Sequence, residues 1–183
     1  MRIVLVFAVL FSLTFASAQE PVRQVRRSPD GLHFAGWFDH DAGAPFGSVR
    51  AIVFRSATDP YDIFSFVSIP RYTEAAWNPA STRCVIADAP DNGGPRTWLI
   101  YQSGPGKWDS RKLDPFATVY AAFAKSDVRH LFRPSILKIE WLSDVKVRFR
   151  GYCNTGTYLF TVDTALPDNP PETTKLSAEW LDE

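Results

Sequence analysis

The chain reads as an all-β protein of antiparallel meanders, a reduced propeller-like or sandwich-like or barrel-like sheet, with one packed α-helix near residues 114–126. Three observations lead there. Aromatic residues make up 14% of the 183 residues and prolines number 14, a composition that favours strands and turns over long helices. Short apolar runs alternate with clusters of Pro, Asp, Asn and Gly and do not extend into helical repeats. One segment alone places apolar residues at i, i+3, i+4 and i+7.

The N-terminal segment, residues 1–18, has the form of a secretory signal. Arg2 supplies the positive start, residues 3–15 are almost wholly apolar, and Ala16-Ser17-Ala18 meets the small-residue rule for cleavage after Ala18, leaving Gln19 as the mature start. The apolar stretch is shorter than the roughly 20 residues a bilayer-spanning helix needs, and no later run is long enough to span. A secreted or periplasmic location is expected, with no transmembrane segment after cleavage. The remaining length suits a single β-rich domain over residues 19–166 and a Pro-rich, acidic tail over 167–183.

Turn chemistry divides the domain into strands. Ser28-Pro29-Asp30-Gly31 precedes a strand over 32–38, and further strands are expected at 49–55, 63–69, 83–87, 97–102, 137–141, 145–150 and 157–162. Asp59-Pro60, Asn78-Pro79, Asp91-Asn92-Gly93-Gly94 and Asn154-Thr155-Gly156 supply the reversals between them. Within 97–102, Trp98 and Ile100 fall on one face and Leu99 and Tyr101 on the other, so both faces require cover and the strand is central. Within 145–150, Val145, Val147 and Phe149 alternate with Lys146, Arg148 and Arg150, the pattern of an outer strand.

The helix follows. Asp114 can accept the free N–H groups of a first turn, Pro115 suits the first helical position, and Phe116, Val119, Tyr120 and Phe123 form one apolar face. Pro167, Pro170 and Pro171 keep the tail out of a central strand, so it is expected to run exposed, with Trp180 and Leu181 as a point of re-anchoring. The two cysteines of an exported chain, Cys84 and Cys153, are expected to pair as a disulfide.

A unit repeats along the chain. Trp77-Asn78-Pro79 leads into a strand from Arg83, a turn at Asp91-Asn92-Gly93-Gly94 and a strand from Thr97. Trp141-Leu142-Ser143-Asp144 leads in the same way into Val145, Asn154-Thr155-Gly156 and Thr157, and Ser28-Pro29-Asp30-Gly31 opens a looser third copy. The pattern resembles the blades of TolB-like and WD40-like β-propellers, in which a Trp-Ser-Pro-Asp-Gly type turn precedes an apolar strand. Three copies and a helix fall below the usual minimum of about four blades. The resemblance therefore implies a reduced or opened set of blade-like meanders that acts as an interaction module through sheet edges and loops.

Charge excludes some partners. Lys and Arg total 20 against 20 for Asp and Glu, so no net field recruits nucleic acid or an anionic membrane surface. No nucleophile elbow, zinc-helix motif or phosphate loop occurs, and no cofactor is called for. The expected role is a non-enzymatic binding module with a protein or glycan partner in the envelope or outside the cell.

Two alternatives name other residues. A small secreted hydrolase would use Asp39-His40-Asp41, read as a loop able to turn two carboxylates and an imidazole onto a metal. A carbohydrate-binding module would use ring stacking from Tyr101 and from Trp108, read as the end of the loop Gly104-Pro105-Gly106-Lys107. For an acidic partner, Lys146, Arg148 and Arg150 project together from alternate positions of one strand.

Overall fold

The computed structural model describes residues 24–41, 48–58, 62–68, 72–89, 95–123, 134–166 and 168–176. They form three four-stranded antiparallel sheets, and every strand pairs with its neighbour in sequence. Sheet 1 is β1 (Gln24–Arg27), β2 (His33–Asp41), β3 (Ser48–Ser56) and β4 (Asp62–Ser68). Sheet 2 is β5 (Tyr72–Trp77), β6 (Arg83–Ala89), β7 (Arg96–Gly104) and β8 (Lys107–Leu113). After α1 (Ala117–Phe123), sheet 3 is β9 (Ser135–Trp141), β10 (Lys146–Cys153), β11 (Gly156–Asp163) and β12 (Glu172–Lys175). Among the described residues no helix is long and apolar enough to cross a membrane.

The three repeated turns occupy one structural position, the link between the first and second strand of each sheet. Ser28 N donates to His33 O at 3.0 Å, and Asn78 N donates to Arg83 O at 3.0 Å, closing turns of equal length. Each turn requires a left-handed residue at its fourth place, met by Gly31 (φ 75°) and by Ser81 (φ 59°), the latter a strained choice for a side chain with a Cβ. Asn78 is fully buried, and its Oδ1 accepts from Thr82 N (2.9 Å) and Arg83 N (2.8 Å). Its Nδ2 donates to Thr82 Oγ1 and to Asp144 O, so no polar atom of the side chain is stranded. In sheet 3 the turn is one residue shorter, with Leu142 N donating to Lys146 O.

Shared turns give shared joints. Trp77 Nε1 donates to Arg26 O at 2.9 Å, tying sheet 2 to sheet 1, and Trp141 Nε1 donates to Ala76 O at 3.0 Å, tying sheet 3 to sheet 2. The turns are latched in the same order, Ser81 Oγ accepting from Asp30 N and Asp144 Oδ1 from Ala80 N. Sheet 2 is thus sandwiched, as the two apolar faces of β7 require. Ala35, Trp37, Ile52 and Phe54 of sheet 1 pack against Ala75, Cys84, Ile86 and Ile100. Val85, Ala87 and Leu99 on the other side of sheet 2 pack against Val147, Phe149 and Phe160 of sheet 3.

The helix lies against this second joint, with Phe116 3% exposed and its ring centroid 4.5 Å from that of Phe160. Tyr120, expected on the packed face, is instead 50% exposed, because the helix is short and is held mainly through Phe116 and Val119.

Several expectations are corrected. Cys84 and Cys153 are both buried and free. Cys84 faces sheet 1, whereas Cys153 belongs to the core between sheets 2 and 3. The β10 residue equivalent to Cys84 is Val147, so the two thiols also lie at opposite ends of their strands. No disulfide can close across a packed sheet at unequal heights. Burial pushes the Cys84 thiol well above its usual range, which leaves it an inert core residue. Trp108 is on β8, not in a loop, because the hairpin is a tight turn through Pro105 and Gly106 (φ 68°) with Gly104 opposite Lys107. The tail contributes β12, which pairs with β11 from Tyr158 opposite Lys175 to Thr161 opposite Glu172. Asp39, His40 and Asp41 complete β2 opposite Arg50, Val49 and Ser48. The expected loop is a strand there.

Candidate functional site

The equivalence of the sheets exposes one anomaly. Arg27 opposite Phe34, Trp77 opposite Cys84 and Trp141 opposite Val147 occupy the same register position, so the second strands can be compared residue by residue. Positions that face the next sheet are Ala35 and Trp37 in β2 and Val85 and Ala87 in β6, all at most 3% exposed. The corresponding residues of β10 are Arg148 and Arg150. On the third strands, Ile52, Phe54 and Leu99 at such positions give way to Leu159 and Thr161 of β11. The forward face changes from apolar to cationic in one step.

This face forms a groove of about 600 Å³. Lys138, Glu140, Arg148 and Arg150 supply its charge, and Leu159, Leu176 and Thr174, with Lys175 at the edge, complete its lining. Strand pairing sets the order. Lys138 of β9 stands directly opposite Arg150 of β10, which stands opposite Leu159 of β11, itself opposite Thr174 of β12. In the neighbouring row Arg148 is opposite Glu140, with Nη1 3.9 Å from Oε2. That exposed pair contributes at most about 1 kcal/mol. Like charges placed directly opposite, as Lys138 and Arg150 are, repel one another. Among the described residues, three cations on this face against one carboxylate make the groove an anion-attracting surface, and two leucines give it an apolar floor.

Of the residues singled out in the sequence, Arg148 and Arg150 meet in this groove. Lys146 shares their face but lies opposite Asp163, beyond the groove. Lys138, Leu159 and Leu176 carried no signal of their own, because only cross-strand register brings them beside the arginines. Lys175 stands opposite Tyr158, a residue of the core between sheets 2 and 3, and holds its ammonium 5.9 Å from that ring's centroid, on the side of the sheet away from the arginines.

The aromatic candidates are placed apart. Tyr101 packs into the joint between sheets 2 and 3, whereas Trp108 packs into the joint between sheets 1 and 2. Trp108 is one wall of an aromatic box around His33, with ring centroids 4.7 Å apart, and Phe54 and Trp77 supply the other walls at 6.0 and 6.3 Å. His33 Nδ1 is buried there with no hydrogen-bond partner. Desolvation holds the His33 imidazole below its usual range, partly offset by the Asp30 carboxylate. Asp30 is itself held below the carboxylate range by Ser28 Oγ and Leu32 N.

The metal candidate falls on Asp39, His40 and Asp41, whose side chains lie outside the described residues. Asp88, near the end of β6, is a structural residue. It is fully buried, with Oδ1 accepting from Thr73 Oγ1 (3.1 Å) and Oδ2 from Arg96 Nη2 (2.9 Å), and Arg50 of sheet 1 donates to the same threonine at 3.0 Å.

Comparison with known proteins is sparse. No family model matches the chain, and no curated protein does. Among solved structures it is similar to AtxE2 isopeptidase in its apo form, at 14% identity and a TM-score of 0.49, over 85% of this chain and 29% of that one. The same isopeptidase, as a variant with Astexin3-dC4 bound, gives 13% identity and the same TM-score and coverage. The chain spans less than a third of the length of those two structures.

Proposed function

We propose that the protein is an exported, non-enzymatic binding module, built of blade-like meanders, that docks an acidic partner on the forward face of sheet 3. One observation carries this reading: positions that bury Ala35, Trp37, Val85 and Ala87 against a following sheet hold Arg148 and Arg150 in the last one. A sheet face with nothing packed on it among the described residues needs polar side chains to stay in solution. Glu or Asp would serve that need equally, so mere solubility does not select three cations on one face. An excess of one sign in a concave surface concentrates ligands of the other sign and speeds their encounter.

The test is retention of the purified protein on immobilised polyglutamate and polygalacturonate through a salt gradient. The wild type should be held at low salt and released as ionic strength rises, and an Arg148→Glu/Arg150→Glu variant should flow through with its thermal unfolding unchanged. A wild type that no polyanion retains at low salt ends the proposal.

A further inference from the structure

Apart from the face of sheet 3, we infer that β4 is a dimerisation edge, along which two copies of this chain pair antiparallel about a two-fold axis at Ser65. The sheet edges differ in one respect. Arg26 in β1, Glu74 in β5, Arg111 in β8, Lys138 in β9 and Lys175 in β12 place charge on every other edge strand. β4 has no charged residue after its first, Asp62, and no proline. Charge and proline on an edge discourage the addition of a strand, and an edge without them leaves its row of N–H and C=O groups open to pairing. Among the described residues no strand pairs with the outer side of β4, and its pairing with β3 is regular from Phe64 opposite Phe54 to Ser68 opposite Arg50. No bulge turns that stretch aside.

The order of residues along β4 selects a second copy as the added strand. A two-fold axis at Ser65 sets all seven residues of one β4 opposite the seven of the other, whereas an axis at Phe64 or Phe66 pairs fewer. Phe64 of each copy then stands opposite Phe66 of the other, and Ile63 opposite Val67. Aromatic and β-branched pairs are favourable cross-strand neighbours, and no like charges are opposed. The two rings are already in position, with centroids 5.3 and 6.0 Å from that of Trp98 in sheet 2 and with Arg96 5.4 Å from the centre of Phe66. Both are only partly buried, and Ile63 is 40% exposed, so a second strand has apolar surface left to cover. Each edge is used up by the other, and assembly stops at two.

Sedimentation velocity of the purified protein over a concentration series tests the pairing. The wild type should pass from monomer to dimer as concentration rises, with no larger species. Ser65 is exposed, and Ser65→Lys sets two ammonium groups opposite one another only in the dimer. It should raise the dimer dissociation constant about tenfold and leave the melting temperature of the monomer unchanged. Cysteine variants read the register. Ser65→Cys should form an intermolecular disulfide under mild oxidation, because the residue faces itself. Ile63→Cys should not, since four positions along the strand hold the two copies of residue 63 roughly 14 Å apart. The native Cys84 and Cys153 are buried and take no part. A chain monomeric at every concentration overturns the inference, even where an added Thr-Val repeat peptide protects the β4 amides from exchange. A dimer that Ser65→Lys leaves intact overturns it too, as does equal crosslinking of the two cysteine variants.

Discussion

The two joints of the molecule use one latch and different fillings. Between sheets 2 and 3 the contact is apolar, with Val85 and Leu99 against Val147, Phe149 and Phe160, and Phe116, directly before the helix, closing the side. Gly151 is required there: a Cβ on it would come within 2.5 Å of the Phe116 ring and 2.9 Å of the Phe160 ring. Between sheets 1 and 2 the core is flanked by polar machinery at both ends, the His33 box at one and the Arg50, Thr73, Asp88 and Arg96 chain at the other. Packing complementarity therefore defines the second joint, while the first also buries polar groups, the Asp88 chain satisfied and His33 Nδ1 not. The first should respond to pH and the second should not.

Substitutions can break or sharpen this contrast. The largest loss is expected from Phe149→Ala, about 3–5 kcal/mol in urea unfolding, since Phe149 is fully buried and its removal leaves a cavity between two sheets. Gly151→Ala should cost about 1–3 kcal/mol at the same joint through overpacking, and a neutral result would show that Phe116 yields freely. At the first joint, Asp88→Ala should cost about 2–3 kcal/mol. It deprives the Thr73 hydroxyl of its acceptor, leaving only the bond from Arg50, and removes one partner of Arg96, although that guanidinium, at 36% exposure, keeps part of its hydration.

Smaller effects probe the shared latch. Trp77→Phe and Trp141→Phe each delete one N–H donor to a carbonyl and should cost about 1 kcal/mol apiece. The double variant should be additive, because the two bonds belong to different joints; strong coupling would mean that the joints form as one unit. The smallest effect concerns pH. His33 in the folded chain resists protonation more than in the unfolded chain, so the unfolded state binds more protons as pH falls through about 6.5 and stability declines. Thermal melts between pH 7.5 and 5 should show that decline in the wild type and less of it in His33→Phe. Identical slopes would remove the pH distinction between the joints.

Legibility in the sequence follows position within each sheet. β2, β3, β6, β7, β10 and β11 are interior strands whose apolar alternation predicts them, with ends within three residues of those observed. The strands that escaped are β1, β5, β8 and β12, all sheet edges, whereas the edges β4 and β9 carry enough apolar residues to be predicted at 63–69 and 137–141. An edge strand has one side free of pairing, so residues such as those of Lys107–Leu113 or Glu172–Lys175 stay polar and carry no strand signal. The site was half visible for a related reason. Alternation within one strand showed Arg148 and Arg150 on a common face, whereas the placing of Lys138 and Leu159 beside them depends on register between strands, which spacing along the chain does not encode. The same gap misled the reading of Cys84 and Cys153, whose heights in their sheets were invisible.

Pairing every strand with its sequence neighbour has a consequence for how the molecule is assembled. Each sheet closes through short connections, so the entropy lost in forming it is modest and grows only slowly with loop length. A chain emerging from its N-terminus can finish one sheet before the next has been made. Cutting the backbone between β4 and β5 would leave every sheet intact on one fragment or the other. The two pieces should then reassociate through the first joint alone, with the Trp77 bond to Arg26 and the Asp88 chain to Arg50 acting as the recognition elements between separate molecules.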